Sequence, residues 1–261
     1  MRVLVTNDDG VEAEGVRALA RAIVHAGHEV IVVAPSGERS GSGAAIGRLH
    51  RSGPIRWQPV TWADLPDTDV HSVDLPPAAA VYAGCLGAFG PAPDAVASGV
   101  NPGLNYGHLV LHSGTVGAAL TAQVLGIPAV AVSLGWGEDE HWATAATIAA
   151  SALPWLADQD RPCALNLNVP NVELSAVGSA RQARLTAFDE QWSGSAARGE
   201  LVLEFEGRAR DPEPDTDLAI VRAGDVAFTL LSGITEASVA PASTAPASSD
   251  GLAETLAQAV S

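Results

Sequence analysis

The chain opens Met1-Arg-Val-Leu-Val-Thr-Asn-Asp-Asp-Gly10. Arg2 to Thr6 is a short apolar run rich in β-branched residues and reads as a buried strand. It stops at Asn7, Asp8, Asp9 and Gly10. A helical pattern follows, with Val16, Leu19, Ala20 and Ile23 at three- and four-residue spacing. The two aspartates therefore stand where a strand hands over to a helix, the end of an open α/β sheet at which ligands bind. Adjacent carboxylates repel unless something positive lies beside them, and a hard divalent cation with oxygen ligands meets that need. Asn-Asp-Asp-Gly is equally good turn and helix-cap chemistry. The balance is decided by polar loops further along.

Working outward, the first helix closes at Ala26-Gly27-His28, and Glu29 to Ala34 is a second buried strand. A strand, a helix and a strand in so short a span imply a right-handed βαβ unit and a parallel sheet. The spacing also predicts strands over Ile55–Trp62, Val70–Val73, Asp94–Val100, Ala129–Leu134 and Ala164–Val169. Helices are expected over Pro77–Phe89, from Ser113 to about Leu125, and over Trp142–Leu156. Beyond Pro170 the pattern changes to short strands at Ala183–Thr186, Leu201–Phe205, Leu218–Val221 and Val226–Leu231. The fold class is α/β, a Rossmann-like three-layer and mostly parallel sheet with a β-rich hairpin extension. The expected division is a core over residues 1–170, the extension over 171–235, and a tail over 236–261. In that tail Glu236 to Asp250 reads as a flexible linker and Leu252 to Val260 as a short helix.

The 261 residues allow a sizeable core, 47% hydrophobic but only 5% aromatic, and so built from Ala, Val and Leu. A net charge of −16 excludes a duplex nucleic-acid binder, which needs a basic footprint. Cys85 and Cys163 are too few and too far apart for a zinc site or a disulfide framework, and read as buried free thiols. No leader pattern and no membrane-length apolar run is visible, so a cytoplasmic protein is expected. The glycine fingerprint of dinucleotide folds and the Walker A loop are both missing after the first strand.

Two further loops leave strands at the same end of the expected sheet, and a helix opens after the second. Pro35 to Gly47 is rich in Gly and Ser, and offers the Ser40 hydroxyl and the Arg39 cation near the carboxylates. Asn101-Pro-Gly-Leu-Asn-Tyr-Gly107 combines glycines with two amide side chains. Ser113, Gly114 and Thr115 open a helix, where free N–H groups and the dipole favour a phosphate.

Together the Val-Thr-Asn-Asp-Asp-Gly opening, Val11 to Gly15, Arg39-Ser-Gly41, Ser98 to Gly107 and Ser113-Gly-Thr-Val116 resemble the SurE stationary-phase survival family. Leu165 to Pro170 and Thr216-Asp217 agree, and the resemblance runs from residue 1 to about 231. It implies a metal-dependent 5′/3′-nucleotidase, an acid-phosphatase-type phosphomonoesterase acting on nucleoside monophosphates. It also implies one divalent cation per subunit (Mg²⁺ or Mn²⁺), and a homodimer or homotetramer. Carried over by position, the metal ligands are Asp8, Asp9, Ser40 and Asn101. Asn105, Ser113, Gly114 and Thr115 face the phosphate. The chain departs from the family at His112, usually Tyr, at Leu75 to Ala80, which lacks a Thr and an Asp, and at Thr121, usually Glu.

The expected mechanism is attack by a metal-activated water, with Asp9 orienting or deprotonating it and His112 available as a proton donor. A covalent aspartyl-phosphate is the competing chemistry. The competing function is a non-catalytic nucleotide- or phosphate-binding protein on the same fold.

Overall fold

The computed structural model describes residues 1 to 233, other than 48, 50 to 52, 188, 189 and 209. The expected linker and terminal helix after residue 235 lie outside the described residues. In chain order come β1 (Arg2–Thr6), α1 (Glu14–His25), β2 (Glu29–Pro35), β3 (Trp57–Val60), β4 (Asp69–Val73), α2 (Pro77–Cys85) and β5 (Ala95–Pro102). A 3-10 turn at Gly107–Leu111 leads to α3 (Gly114–Val124), β6 (Ala129–Leu134), α4 (Trp142–Ala157) and β7 (Ala164–Val169). Then follow β8 (Ala180–Gln182), the β9 (Glu190–Ala197) and β10 (Glu200–Arg208) hairpin, α5 (Asp217–Arg222) and β11 (Val226–Leu231).

Nine strands form one sheet in the order β3-β4-β2-β1-β5-β6-β7-β11-β8. The run from β4 to β7 is parallel throughout. β3 joins it antiparallel at one edge, and β11 joins β7 antiparallel at the other. Because β1 pairs with β2 on one side and β5 on the other, chain progress reverses beside β1, which makes its carboxyl end a topological switch point.

Both faces are covered, so the central strands read as continuous apolar runs. Val3, Val5, Val30 and Val32 pack with Val16, Leu19 and Ile23 of α1 and with Ala146, Ala149 and Leu153 of α4. Leu4, Ile31, Val33 and Val96 pack on the opposite face with Ala79 and Ala80 of α2 and Val116, Ala119 and Ala122 of α3. Helix α4 thus lies opposite α3, although both crossovers step the same way along the sheet. The β6–α4–β7 connection therefore has the opposite hand to β5–α3–β6, an exception to the usual rule for parallel units.

Three expectations are corrected. Leu218–Val221 is helix α5, not a strand; four apolar residues carry no period that separates the two, and the buried Asp217 opens the helix. The strand expected at Ala183–Thr186 forms earlier, at Ala180–Gln182, because Thr186 turns its amide and hydroxyl onto Asp217. The helix from Pro77 stops at Cys85, with Gly87 at φ +85° just beyond. Strand β9 was not legible, since its Ser, Gly and Ala residues have weak strand preference. Both cysteines are free and only partly buried, and burial pushes their thiols up, that of Cys85 to about 11. No helix among the described residues is long and apolar enough to cross a membrane.

Candidate active site

The site is assembled at the carboxyl ends of β1 and β5 and the amino end of α3. Asp8 is 3% exposed, which a carboxylate tolerates only with donors around it. Its Oδ1 accepts from Thr115 Oγ1 at 2.5 Å, and its Oδ2 accepts from the Gly114 amide at 3.1 Å. The Thr115 amide also points at it. The free N–H groups of α3 thus hold a side-chain carboxylate, the anion a helix amino end favours. Burial nevertheless outweighs these bonds and raises the Asp8 pKa.

Helix α3 is capped by Ser113, whose Oγ accepts from the Val116 amide at 3.1 Å. Gly114 is demanded by packing: a Cβ there would stand 2.7 Å from Asp8 Oδ2 and 2.6 Å from Ser42 Oγ. Asn101 lies just past a register shift between β5 and β6. Its amide donates to the Gly103 carbonyl at 2.7 Å, which leaves its Oδ1 near Thr115 Oγ1 at 3.4 Å. Asp8, Gly114, Thr115 and Asn101 form one connected group.

Asp9 has a different environment. Its Oδ2 is buried and has no hydrogen-bond partner among the described residues. Burial, the Asp8 charge and the Glu38 charge push its carboxyl up to about 7. The 36–43 loop is drawn over the pair by the Arg39 amide, which donates to the Asp8 carbonyl at 2.6 Å. Ser40 is exposed on that loop and donates to Glu38 at 2.9 Å, so it stands beside the carboxylates rather than on them.

Arg39 does not supply the expected cation at the pair. Its guanidinium bonds Asp74 at 2.8 Å, an exposed partner available just after β4. Asn105 belongs to a neighbouring network. Its side chain donates to Ser133 at 2.8 Å, its amide to Asn168 at 2.9 Å, and its carbonyl accepts from Asn166 and Asn168. His112 is exposed at the end of the 3-10 turn, and its carbonyl accepts from Gly43. Thr121 folds its hydroxyl back onto the Gly117 carbonyl.

Sequence reasoning missed Glu38, Ser42 and the structural role of Asp217. Ser42 Oγ is buried without a hydrogen-bond partner among the described residues, in the same crowd as Gly114 and Asp8. It lies in the Gly/Ser loop already singled out, but a serine among serines carries no distinguishing signal. Asp217, fully buried, accepts from the Gly107 amide at 2.8 Å and from the Thr186 amide and hydroxyl. It clamps the 101–107 loop from a position 110 residues away in sequence.

The arrangement brings buried carboxylates, a hydroxyl, an amide oxygen and a helix amino end to the switch point of a parallel sheet. Comparison with known proteins gives the same direction. The family model for survival protein SurE matches residues 3–191. The chain is 36% identical over 244 residues to the 5′-nucleotidase SurE of Nitrosococcus oceani, covering 88% of this chain and 90% of that one. It is 39% identical over 240 residues to the 5′/3′-nucleotidase SurE of Serratia proteamaculans, with 88% and 90% covered. The crystal structure of the SurE protein from Aquifex aeolicus superposes with a TM-score of 0.74 at 25% identity, covering all of both chains. This chain belongs to the SurE family.

Proposed function

We infer that the protein is a 5′-nucleotidase-type phosphomonoesterase that hydrolyses nucleoside monophosphates with the help of a divalent cation at Asp8 and Asp9. The observation that carries this reading is the uncompensated pair. Asp8 and Asp9 lie together, largely buried, with Glu38 adding to the negative potential and no cationic side chain bonded to either among the described residues. The nucleotidase names of the relatives support the substrate class.

The residues present fit a hard cation. Asp9 Oδ2 is a buried oxygen with no hydrogen-bond partner among the described residues, and the neighbouring donors are oxygens. In this reading Asp8, Asp9, Asn101 and Ser40 hold the ion, with Mg²⁺ or Mn²⁺ the candidates. When bound, the ion would offset charge on a phosphoryl oxygen and lower the pKa of a nearby water. Thr115 and the Gly114 amide fix the Asp8 carboxylate in place, as outer partners of metal ligands do. Asp9 orients the attacking water and takes its proton. The phosphate lies toward Ser113, Gly114 and Thr115 at the positive end of α3, which contributes its field while the Gly114 amide and Thr115 hold Asp8, and toward Asn105 in the adjoining network. His112, exposed one residue before the α3 cap, is the proton donor to the leaving alcohol.

A homodimer or homotetramer belongs to the same reading. Leu201 and Leu203, 68% and 63% exposed, share one face of the β10 arm, whose hairpin pairs with no other strand among the described residues, an apolar surface suited to burial against a second copy.

The test is phosphate release from 5′- and 3′-mononucleotides, short polyphosphate and an aryl phosphate, with Mn²⁺, with Mg²⁺ and with EDTA. Metal-dependent release, greatest for mononucleotides, is expected. Binding of a mononucleotide without turnover under any metal would establish the non-catalytic binding protein instead.

A further inference from the structure

A second cleft, of about 600 Å³, opens beside the carboxylate site and takes no part in the chemistry above. Its volume is within the range of small-molecule sites, roughly 300–1,000 Å³. Tyr106, Trp136 and Phe205 line it, together with Arg210, Arg222 and one carboxylate, Asp211. Three aromatic rings around a space of that size are unusual in a chain that is 5% aromatic. Trp136 is 68% exposed and Phe205 53% exposed, so neither ring is there to fill the core. Neither Arg210 nor Arg222 has an ion-pair partner among the described residues, whereas Arg181 and Arg184 are paired.

The cleft shares a wall with the carboxylate site. The loop from Asn101 to Gly107 carries Asn101 against Thr115 at one end and Tyr106 into the cleft at the other. In the middle of that loop the Trp136 indole lies directly on Gly103; a Cβ at 103 would stand 3.0 Å from Trp136 Nε1. Gly103 has φ +108°, a left-handed conformation glycine accepts, and its missing side chain gives the indole its seat. The floor is fixed by Asp217, which holds the Gly107 amide next to Tyr106 and opens the helix that presents Leu218 and Arg222.

We propose that this cleft is the nucleobase subsite: the base of the nucleoside monophosphate stacks on Trp136, flanked by Tyr106 and Phe205, while its phosphate lies at the carboxylate site. The inference rests on the phosphomonoesterase reading for its substrate, but the subsite itself is a matter of base stacking. Stacking tolerates any base because every base presents a π-face. The guanidinium groups add donors for ring nitrogens and carbonyls. The cleft therefore selects for the presence of a base more than for its identity.

The experiment compares Trp136→Ala with the unmodified enzyme on AMP and on ribose 5-phosphate, which carries the same ester without a base. The ratio of kcat/KM for AMP over ribose 5-phosphate should fall roughly tenfold or more, chiefly through KM. Trp136→Phe should recover most of that ratio. Because Trp136 is largely exposed, its truncation opens no core cavity. Equal loss on both substrates, or an unchanged ratio, overturns the subsite. If the unmodified protein hydrolyses neither substrate, the phosphomonoesterase reading fails, and adenosine quenching of tryptophan fluorescence decides the subsite alone. Quenching lost in Trp136→Ala supports it; no difference between the two proteins overturns it.

Discussion

Replacing Asp9 by Asn removes a charge that the metal-free fold holds at a cost. Burial, the Asp8 charge and the Glu38 charge lift the Asp9 carboxyl from 3.8 to about 7. A carboxyl whose folded pKa is raised binds more protons folded than unfolded between those two values. Stability from this group is fully present below pH 3.8 and is lost as pH rises through about 7. At 1.36 kcal/mol for each pH unit of that interval, the ceiling is about 4 kcal/mol. Water reaching the partly open side of Asp9 reduces the expected effect to about 2 kcal/mol. Asn resembles the protonated acid and keeps the low-pH stability at every pH. In EDTA, Asp9→Asn should therefore match the parent protein near pH 4 and exceed it at pH 8, with a gain in Tm of roughly 4–8 °C. The assay is thermal denaturation across that pH range with and without Mn²⁺. Mn²⁺ should stabilise the parent at pH 8 and leave the variant almost unmoved. A variant that is equally or less stable at pH 8, or a gap independent of pH, would refute the reasoning.

Other perturbations probe the parts around the pair. Thr115→Val removes the donor to Asp8 Oδ1 at 2.5 Å while keeping the buried shape, and should weaken metal-supported turnover by about 10–100-fold, read as a higher Mn²⁺ requirement. Gly114→Ala places a Cβ 2.7 Å from Asp8 Oδ2, so activity should drop further than in Thr115→Val, with a stability loss of about 1–3 kcal/mol in urea denaturation. Asp217→Asn turns an NH₂ toward either the Gly107 amide or the Thr186 donors, and should cost about 3 kcal/mol of stability by the same measurement.

The parallel core was legible because its strands are short apolar runs bounded by turns, and its helices show a buried stripe. The order β4-β2-β1-β5-β6-β7 was not legible, and neither was the reversed hand at α4, since a crossover's face depends on which side each helix buries. Asp8, Asn101, Gly114 and Thr115 could be singled out as loop residues at strand ends, and the fold joins them through hydrogen bonds. What pattern could not reveal was direction. Arg39 offers a charge in the sequence, yet its guanidinium goes to Asp74. The amides of α3 read as a phosphate cradle, yet Gly114 and Thr115 hold Asp8. Asp217 was invisible as a clamp because its partners, Gly107 and Thr186, are remote in sequence.

The most direct test of the central claim is phosphate release from AMP by protein stripped with EDTA and then supplied with Mn²⁺, for the parent and for Asp8→Asn. The parent should be silent after stripping and recover with Mn²⁺, while Asp8→Asn stays silent in both conditions with an unchanged far-UV spectrum. Release that persists in EDTA, or survives in Asp8→Asn, would contradict a metal-assisted hydrolysis centred on this carboxylate.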